Sequence, residues 1–392
     1  MFHLLRINGN CEFDMLNNFT HMTDSIIHNP TIFSILEAVK ENTQGKELTP
    51  LILLGEEAGL DLDHLVQAFN EEEITFLGAI FPGVIYQTSK YTDACVIKYL
   101  QTSEKPIVIP DISKYEGDWL DIPENHPYRP TVLMLVDGLA ANIGQFLAYM
   151  HNRWGNAVHY IGGGAGSLSL KPMPCVMTNE GVFENAAILA VLEKQVKLGV
   201  KHGWKRIMGP FVATDTENTV IKELNWQNAF EVYKEVIEAN GGGEITRDNF
   251  FDIAKGFPFG ITKEGEEDIV RDPITVNEEG HLICVGEVPM NSVLNILKGD
   301  KESLIGSAAE AAKSCFSEEV EKQSILMIDC ISRVLFLGDD FSKELEAVQN
   351  EIKISGEDFV FSGALTLGEI SSYGENRLEF FNKTIVMGMM RG

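Results

Sequence analysis

The chain has 392 residues, 44% hydrophobic and 23% charged, the composition of an ordinary globular protein long enough for two lobes rather than one core. Its 58 acidic against 31 basic residues give a formal charge of -27, which opposes binding to nucleic acid or anionic membrane, where basic side chains supply the affinity. No apolar run reaches the roughly 20 residues that span a bilayer, and the opening MFHLLRINGNCEFD lacks the regions of a signal peptide, so the expected location is cytoplasmic, without membrane insertion.

In chain order, the first informative element is an apolar strand candidate at Leu51 (LILLGEE), which returns at Thr131 (TVLMLVDG) and Ser324 (SILMIDC). Each precedes a helical stretch whose apolar residues recur at three- and four-residue steps: Leu62, Leu65, Val66 and Phe69; Ile143, Phe146, Leu147 and Met150; Phe341, Leu345, Val348 and Ile352. Each helix leads to a second apolar strand that ends in glycine and small residues: FLGAIFPGVI, YIGGGAGSL and FSGALTLGEI. The pattern predicts one strand-helix-strand unit used three times. Glycine at these turns permits positive φ and close approach of a backbone or ligand, so a purely structural role and a pocket role both stay open.

Between the second and third units the pattern changes. Short strands are predicted around Cys175 to Thr178 and Val196 to Val200, while Asn185 to Leu192 reads as strand or helix. FVATDTENTVIKEL predicts a hairpin turning at Glu217-Asn218. A helix follows from about Gln227 to Ala239, stopped by Asn240 and three glycines. A second hairpin is expected at Glu279-Gly280 and an Ala-rich helix over Ser303 to Phe316. The expected fold class is α+β: two closely packed lobes with mixed or antiparallel sheets flanked by helices, divided between Met208 and Asn225.

Signatures of standard chemistry are missing: the sequence has no GxxxxGK[ST], HExxH, GxSxG or CxxCH. The run Gly162-Gly163-Gly164 follows a strand but leads into Ser167 to Pro172, which does not start a helix, so dinucleotide binding lacks its physical basis. Six cysteines (Cys11, Cys95, Cys175, Cys284, Cys315, Cys330) form no CxxC pair and read as reduced thiols. A cysteine hydrolase built from Cys175, His202 and Asp215 can be written down, but nothing in the sequence gathers the three. His202, beside Gly203 and Trp204, could offer an imidazole and an indole to a flat ligand or be plain core. Arg271, Glu287 and Glu369 are charges in apolar surroundings, where each needs an internal partner or a ligand.

In succession, GAIFPGVIY, Val136 to Leu139, Tyr160 to Gly166, Val212-Ala213-Thr214, Asn228-Ala229-Phe230, Val270-Arg271, Gly286 to Pro289, Gly363 to Ile370 and Phe381 to Thr384 resemble the FIST family over roughly residues 45 to 388. The resemblance implies an N-terminal domain over 25–210 and a C-terminal domain over 220–388. It also implies a non-enzymatic sensor that binds a small molecule, such as an amino acid, and reports to a partner such as a histidine kinase or a cyclic-nucleotide signalling protein; a homodimer is compatible with it. YIGGGAGSLSL, VKHGW and VRDPITV look closest to stand-alone members that resemble haem-binding nitric oxide sensors, so a haem b sensor is the alternative reading, in which His202, by residue type and position, is the axial ligand. The ligand set expected is Gly162, Gly163, Gly164, Trp204, Arg271, Glu287 and Glu369, with His202 on a metal only if haem is bound. Where the family carries Cys-Ser-Thr and Gly-Glu in its first turn, this chain has Ala79-Ile80-Phe81 and Gly83-Val84, while the third turn keeps Gly368-Glu369-Ile370, so Glu369 is the preferred polar contact.

Overall fold

The three strand-helix-strand stretches each close a parallel pair: Thr49–Gly55 with Leu77–Phe81, Thr131–Asp137 with His159–Ala165, and Gln323–Cys330 with Phe361–Thr366. Parallel neighbours need a crossover, and the amphipathic helix between each two strands supplies it. The computed structural model describes residues 24–44, 46–115, 129–193, 196–263, 267–316, 323–354, 360–373 and 377–391; Cys11 lies outside them.

Around each parallel pair stands a six-stranded mixed sheet of one and the same plan. On one side an antiparallel strand (Ala94–Leu100, Ala187–Leu192 or Ile385–Arg391) joins the opening strand of the pair. On the other side lies a hairpin that belongs to a different unit. The hairpin after the first pair (Gly83–Tyr86, Ser89–Tyr91) adds to the third sheet. The one after the second pair (Val176–Thr178, Gly181–Phe183) adds to the first sheet, and the one after the third pair (Glu369–Tyr373, Arg377–Phe381) adds to the second. The exchange is cyclic, so the three sheets form a closed, three-fold-like body. Their inner faces share one core, to which Leu51 and Leu53, Leu133 and Leu135, and Leu326 and Ile328 contribute at alternate positions.

The outer faces are covered by helices, which is why these strands are apolar on both sides. The first sheet carries α1 (Ile32–Thr43) and α2 (Leu62–Glu71), the latter capped by Asp61 accepting from the His64 amide. The second carries α3 (Ile143–Trp154) through Phe146, Leu147 and Met150. α4 (Ala229–Ala239) and α5 (Phe250–Ala254) pack on a separate element described below. The third sheet carries α6 (Lys301–Cys315), α7 (Ile331–Leu337) and α8 (Phe341–Ile354), the last through Phe341, Leu345, Val348 and Ile352.

The separate element is a six-stranded antiparallel barrel. Its strands run Lys205–Glu217, Val293–Lys298, Phe259–Ile261, Ile269–Val276, Leu282–Val285 and Val220–Leu224, which closes back on the first. The hairpins predicted at Glu217-Asn218 and Glu279-Gly280 both lie in it, and Asn218 and Gly280 take the positive φ those turns require. The fold is thus α+β with two packed bodies, as the sequence predicts. The three-sheet body takes strands from both ends of the chain, since Gln323–Cys330, Phe361–Thr366, Glu369–Tyr373, Arg377–Phe381 and Ile385–Arg391 complete the second and third sheets. In space the chain divides into the three-sheet body and a barrel entered at Lys205 and left at Lys298, residues that are themselves paired. The ambiguous Asn185 to Leu192 segment is a strand, Ala187–Leu192, held on both sides.

Candidate functional site

Where the barrel meets the second and third sheets, a cavity of about 630 Å³ opens. Its walls are the first turn of α3, the glycine turns at Gly138 and Leu367-Gly368, the start of α7, and barrel residues around Arg271 and Glu287. Most of the lining is apolar, including Leu147, Ile261, Ile269, Leu335 and Phe380, and a few polar groups converge on it, which is the usual constitution of a small-molecule pocket.

Arg271 is the principal polar feature. The strand Ile269–Val276 turns it into the junction, where it is 7% exposed. Its Nε donates to the carbonyl of Glu287 at 2.8 Å and its Nη1 to those of Val270 and Phe380, each at 3.0 Å. No carboxylate lies within 4.0 Å of it among the described residues. Neutral carbonyls satisfy donors without neutralising charge. Burial accordingly draws its pKa below the ordinary guanidinium value, against the opposing field of Glu379.

Beside it, Gly286 has φ +82°, and a Cβ there would fall 3.1 Å from Arg271 Nε and 3.2 Å from Asn382 Oδ1, so the missing side chain keeps both groups accessible to each other's space. Asn382 is 2% exposed, and its Oδ1 is buried without a hydrogen-bond donor. Glu287 sends its carboxylate across the junction to Gly144 in the first turn of α3. Lys263 and Glu379 form a 3.0 Å ion pair on the same wall.

Of the residues expected to bind ligand, Arg271 and Glu287 meet in this cavity; the others stand elsewhere. Gly162, Gly163 and Gly164 lie within the strand His159–Ala165. Gly162 packs on Met134, Gly163 pairs with Glu369, and the Gly164 amide donates to the Gly368 carbonyl. Glu369 is wholly buried behind the cavity wall, accepting from Thr366 Oγ1 at 3.0 Å and the Thr384 amide at 3.2 Å. Burial pushes its carboxyl up to about 8. It belongs to a buried charge cluster with Asp329, Glu344 and Arg333, in which Arg333 pairs with both other carboxylates and donates to the carbonyls of His202 and Leu304.

His202 and Trp204 line a separate, shallower depression of about 430 Å³, with Glu267 and Asp268. The Trp204 amide donates to His202 Nδ1 at 2.8 Å, so in the neutral ring, which burial favours, the proton sits on Nε2, and Nε2 faces Glu267 at 3.6 Å. An iron ligand needs the reverse: a bare nitrogen toward the metal and a proton on the other. Trp204 is committed too, donating through Nε1 to the Lys383 carbonyl with the Lys383 ammonium 5.0 Å over its ring. These residues do not fit a haem held at His202. The hydrolase set is not assembled either: Cys175 is buried beside the first sheet, His202 stands at the barrel entrance and Asp215 on the barrel's hairpin. Burial pushes the Cys175 thiol up, the opposite of a nucleophile's need.

Asn382 and Gly144 were not singled out by sequence. Asn382 stands in the Phe381 to Thr384 segment, whose only signal is family resemblance, and Gly144 in a helical stripe where an isolated glycine reads as tolerated.

Among comparisons with known proteins, the family model described as FIST N domain matches residues 51–227 and that described as FIST C domain matches residues 229–372. No curated protein matches the chain. Both matched models are of sensory domains, and no catalytic family was found. No helix among the described residues is long and apolar enough to cross a membrane.

Proposed function

Because the chain belongs to the FIST family, whose N and C domains together cover most of it, we propose that it is a sensor of signal transduction that holds a small ligand in the cavity between the barrel and the three-sheet body. It would pass occupancy to a separate partner such as a histidine kinase or a cyclic-nucleotide signalling protein. The observation that carries this reading is Arg271, a buried guanidinium with neutral partners only, on the wall of a mostly apolar cavity. Such a charge is costly to keep dry and gains most from an anionic group brought in by a ligand. The position also suits a sensor. A ligand seated between two bodies binds one arrangement of them better than another, and only such a difference can shift an equilibrium.

The test is native mass spectrometry of the purified full chain and of Arg271→Gln, followed by thermal-shift screening of a metabolite set against both. Retention or stabilisation by a small molecule in the wild type, lost in Arg271→Gln and partly kept in Arg271→Lys, is expected. Equal ligand binding by wild type and Arg271→Gln would remove the cavity reading.

A further inference from the structure

α3 begins without a cap. Asn142, its first flanking residue, has φ 64° and its side chain makes no capping hydrogen bond. A helix start leaves its first amides without intrahelical acceptors and carries partial positive charge. What faces this end is the carboxylate of Glu287, from the other body. A Cβ on Gly144 would lie 2.8 Å from Glu287 Oε2 and 3.1 Å from its Cδ, so only a glycine lets the carboxylate come so near. No hydrogen bond or ion pair holds that carboxylate among the described residues: the Glu287 atom that bonds Arg271 is the main-chain carbonyl. The same cavity holds the Arg271 guanidinium, whose hydrogen bonds all go to neutral carbonyls, and the buried Asn382 Oδ1, an acceptor that would pair with a ligand's donor rather than its carboxylate.

We propose that the Arg271 guanidinium and the uncapped start of α3 form one site for the carboxylate of a small organic acid with an apolar body, and that Glu287 is its internal occupant, displaced from Gly144 when the acid binds. The ligand's carboxylate then takes the place beside α3 while its apolar part lies along Leu147, Leu335 and Phe380. Glu287 is attached to the barrel and Gly144 to the second sheet's helix, so displacement removes a bridge between the two bodies. The acid's charge is thereby converted into a change at their junction. This rests on the reading of the cavity as the ligand site, and makes Glu287 a competitor rather than a contact of the ligand.

Hexanoate, with hexanamide as an uncharged control, tests it by calorimetry on three full-length proteins: wild type, Glu287→Gln and Gly144→Ala. Removing the competing charge is expected to tighten hexanoate about tenfold and leave hexanamide unchanged. Gly144→Ala fills the place beside α3 that Glu287 takes at rest and that the ligand's carboxylate needs, so it should weaken hexanoate rather than tighten it. Weaker or unchanged hexanoate binding in Glu287→Gln overturns the proposal, as does a lack of hexanoate binding in all three. If either occurs while Arg271→Gln still abolishes retention of the native ligand, the cavity reading stands and only the displacement fails.

Discussion

A Cβ placed on Gly162 would lie 1.8 Å from the carbonyl oxygen of Met134, the residue opposite it in the parallel pair of the second unit. The equivalent approach recurs at 1.7 Å between Gly363 and Met327 in the third unit and at 2.6 Å between Gly78 and Ile52 in the first. Backbone cannot yield as a side chain tip can. Gly162→Ala and Gly363→Ala should therefore each cost about 3 kcal/mol or more, measured by urea unfolding, and Gly78→Ala less. Gly306, in the middle of α6 with open space at its Cβ, is the control: Gly306→Ala should raise stability by up to about 1 kcal/mol. Similar losses at all four sites would mean that the close approach is not what selects glycine.

A second prediction concerns Lys98, buried where the first and third sheets meet. Its ammonium pairs with Asp24 and donates to Ser324 Oγ at 2.7 Å, Ser362 Oγ at 3.1 Å and the Ile325 carbonyl at 3.2 Å. Lys98→Met leaves the Asp24 carboxylate buried with hydroxyl partners only, and should cost about 3–5 kcal/mol. Adding Asp24→Asn to Lys98→Met should recover part of that loss. A double variant no more stable than the single one would show that the ammonium acts through packing rather than charge.

How much of this was legible depends on what fixed each feature. The three units were readable because a stripe at helical spacing between two apolar strands is a local pattern, and Leu65, Val66 and Phe69 of the first helix are buried as their spacing requires. The cyclic exchange of hairpins was not readable. Gly83–Tyr86 is apolar whichever sheet it joins, and its pairing with Phe361–Thr366, far along the chain, leaves no mark on its composition. At the site, Arg271 and Glu287 drew attention as charges among apolar residues, and they do face the cavity. Glu369 shows the same signal for another reason, an internal cluster. Charge in an apolar stretch signals a buried partner, and only three-dimensional placement tells whether that partner is protein or ligand. Asn382 has no sequence signal beyond the family resemblance of its segment, and nothing local marks its Oδ1 as orphaned.

The buried carboxyl cluster predicts the sign of a pH dependence. Burial raises Glu369 to about 8 and drives Asp329 well above its ordinary range, so the folded protein holds protons that the unfolded chain releases near pH 4 to 5. A raised folded pKa gives stability that is fully present below the unfolded pKa and lost as pH rises through the folded one. Burial depresses His159 to about 4 and lowers His202, which works in the opposite sense, but only below about pH 6.5. Between pH 6.5 and 8 stability should fall, by at most about 1.4 kcal/mol per pH unit for each proton, and Glu369→Gln should flatten that fall. Urea midpoints that are constant or rising over this window in the wild type would contradict it.

The last prediction follows from where the chain enters and leaves the barrel. Lys205 and Lys298 are paired neighbours, the strand ring closes on itself, and a core including Leu224, Tyr233, Phe259 and Leu294 lies within it. A fragment spanning residues 205–298 should therefore fold alone and unfold cooperatively. The reverse excision, with a short flexible link in place of the barrel, should harm the three-sheet body for a specific reason. Asp272 of the barrel is the ion-pair partner of Lys383, at 3.0 Å, and both are almost wholly buried; the Lys383 ammonium also donates to the Lys255 carbonyl, again from the excised part. Removing both leaves a lysine with no anion, which costs several kcal/mol unless it becomes exposed or neutral. Lys383→Met, destabilising in the intact chain, should then stabilise the excised body relative to its own unsubstituted form. Thermal melts of the four proteins decide it: a Lys383→Met effect of the same sign with and without the barrel would show that the two bodies do not depend on this pair.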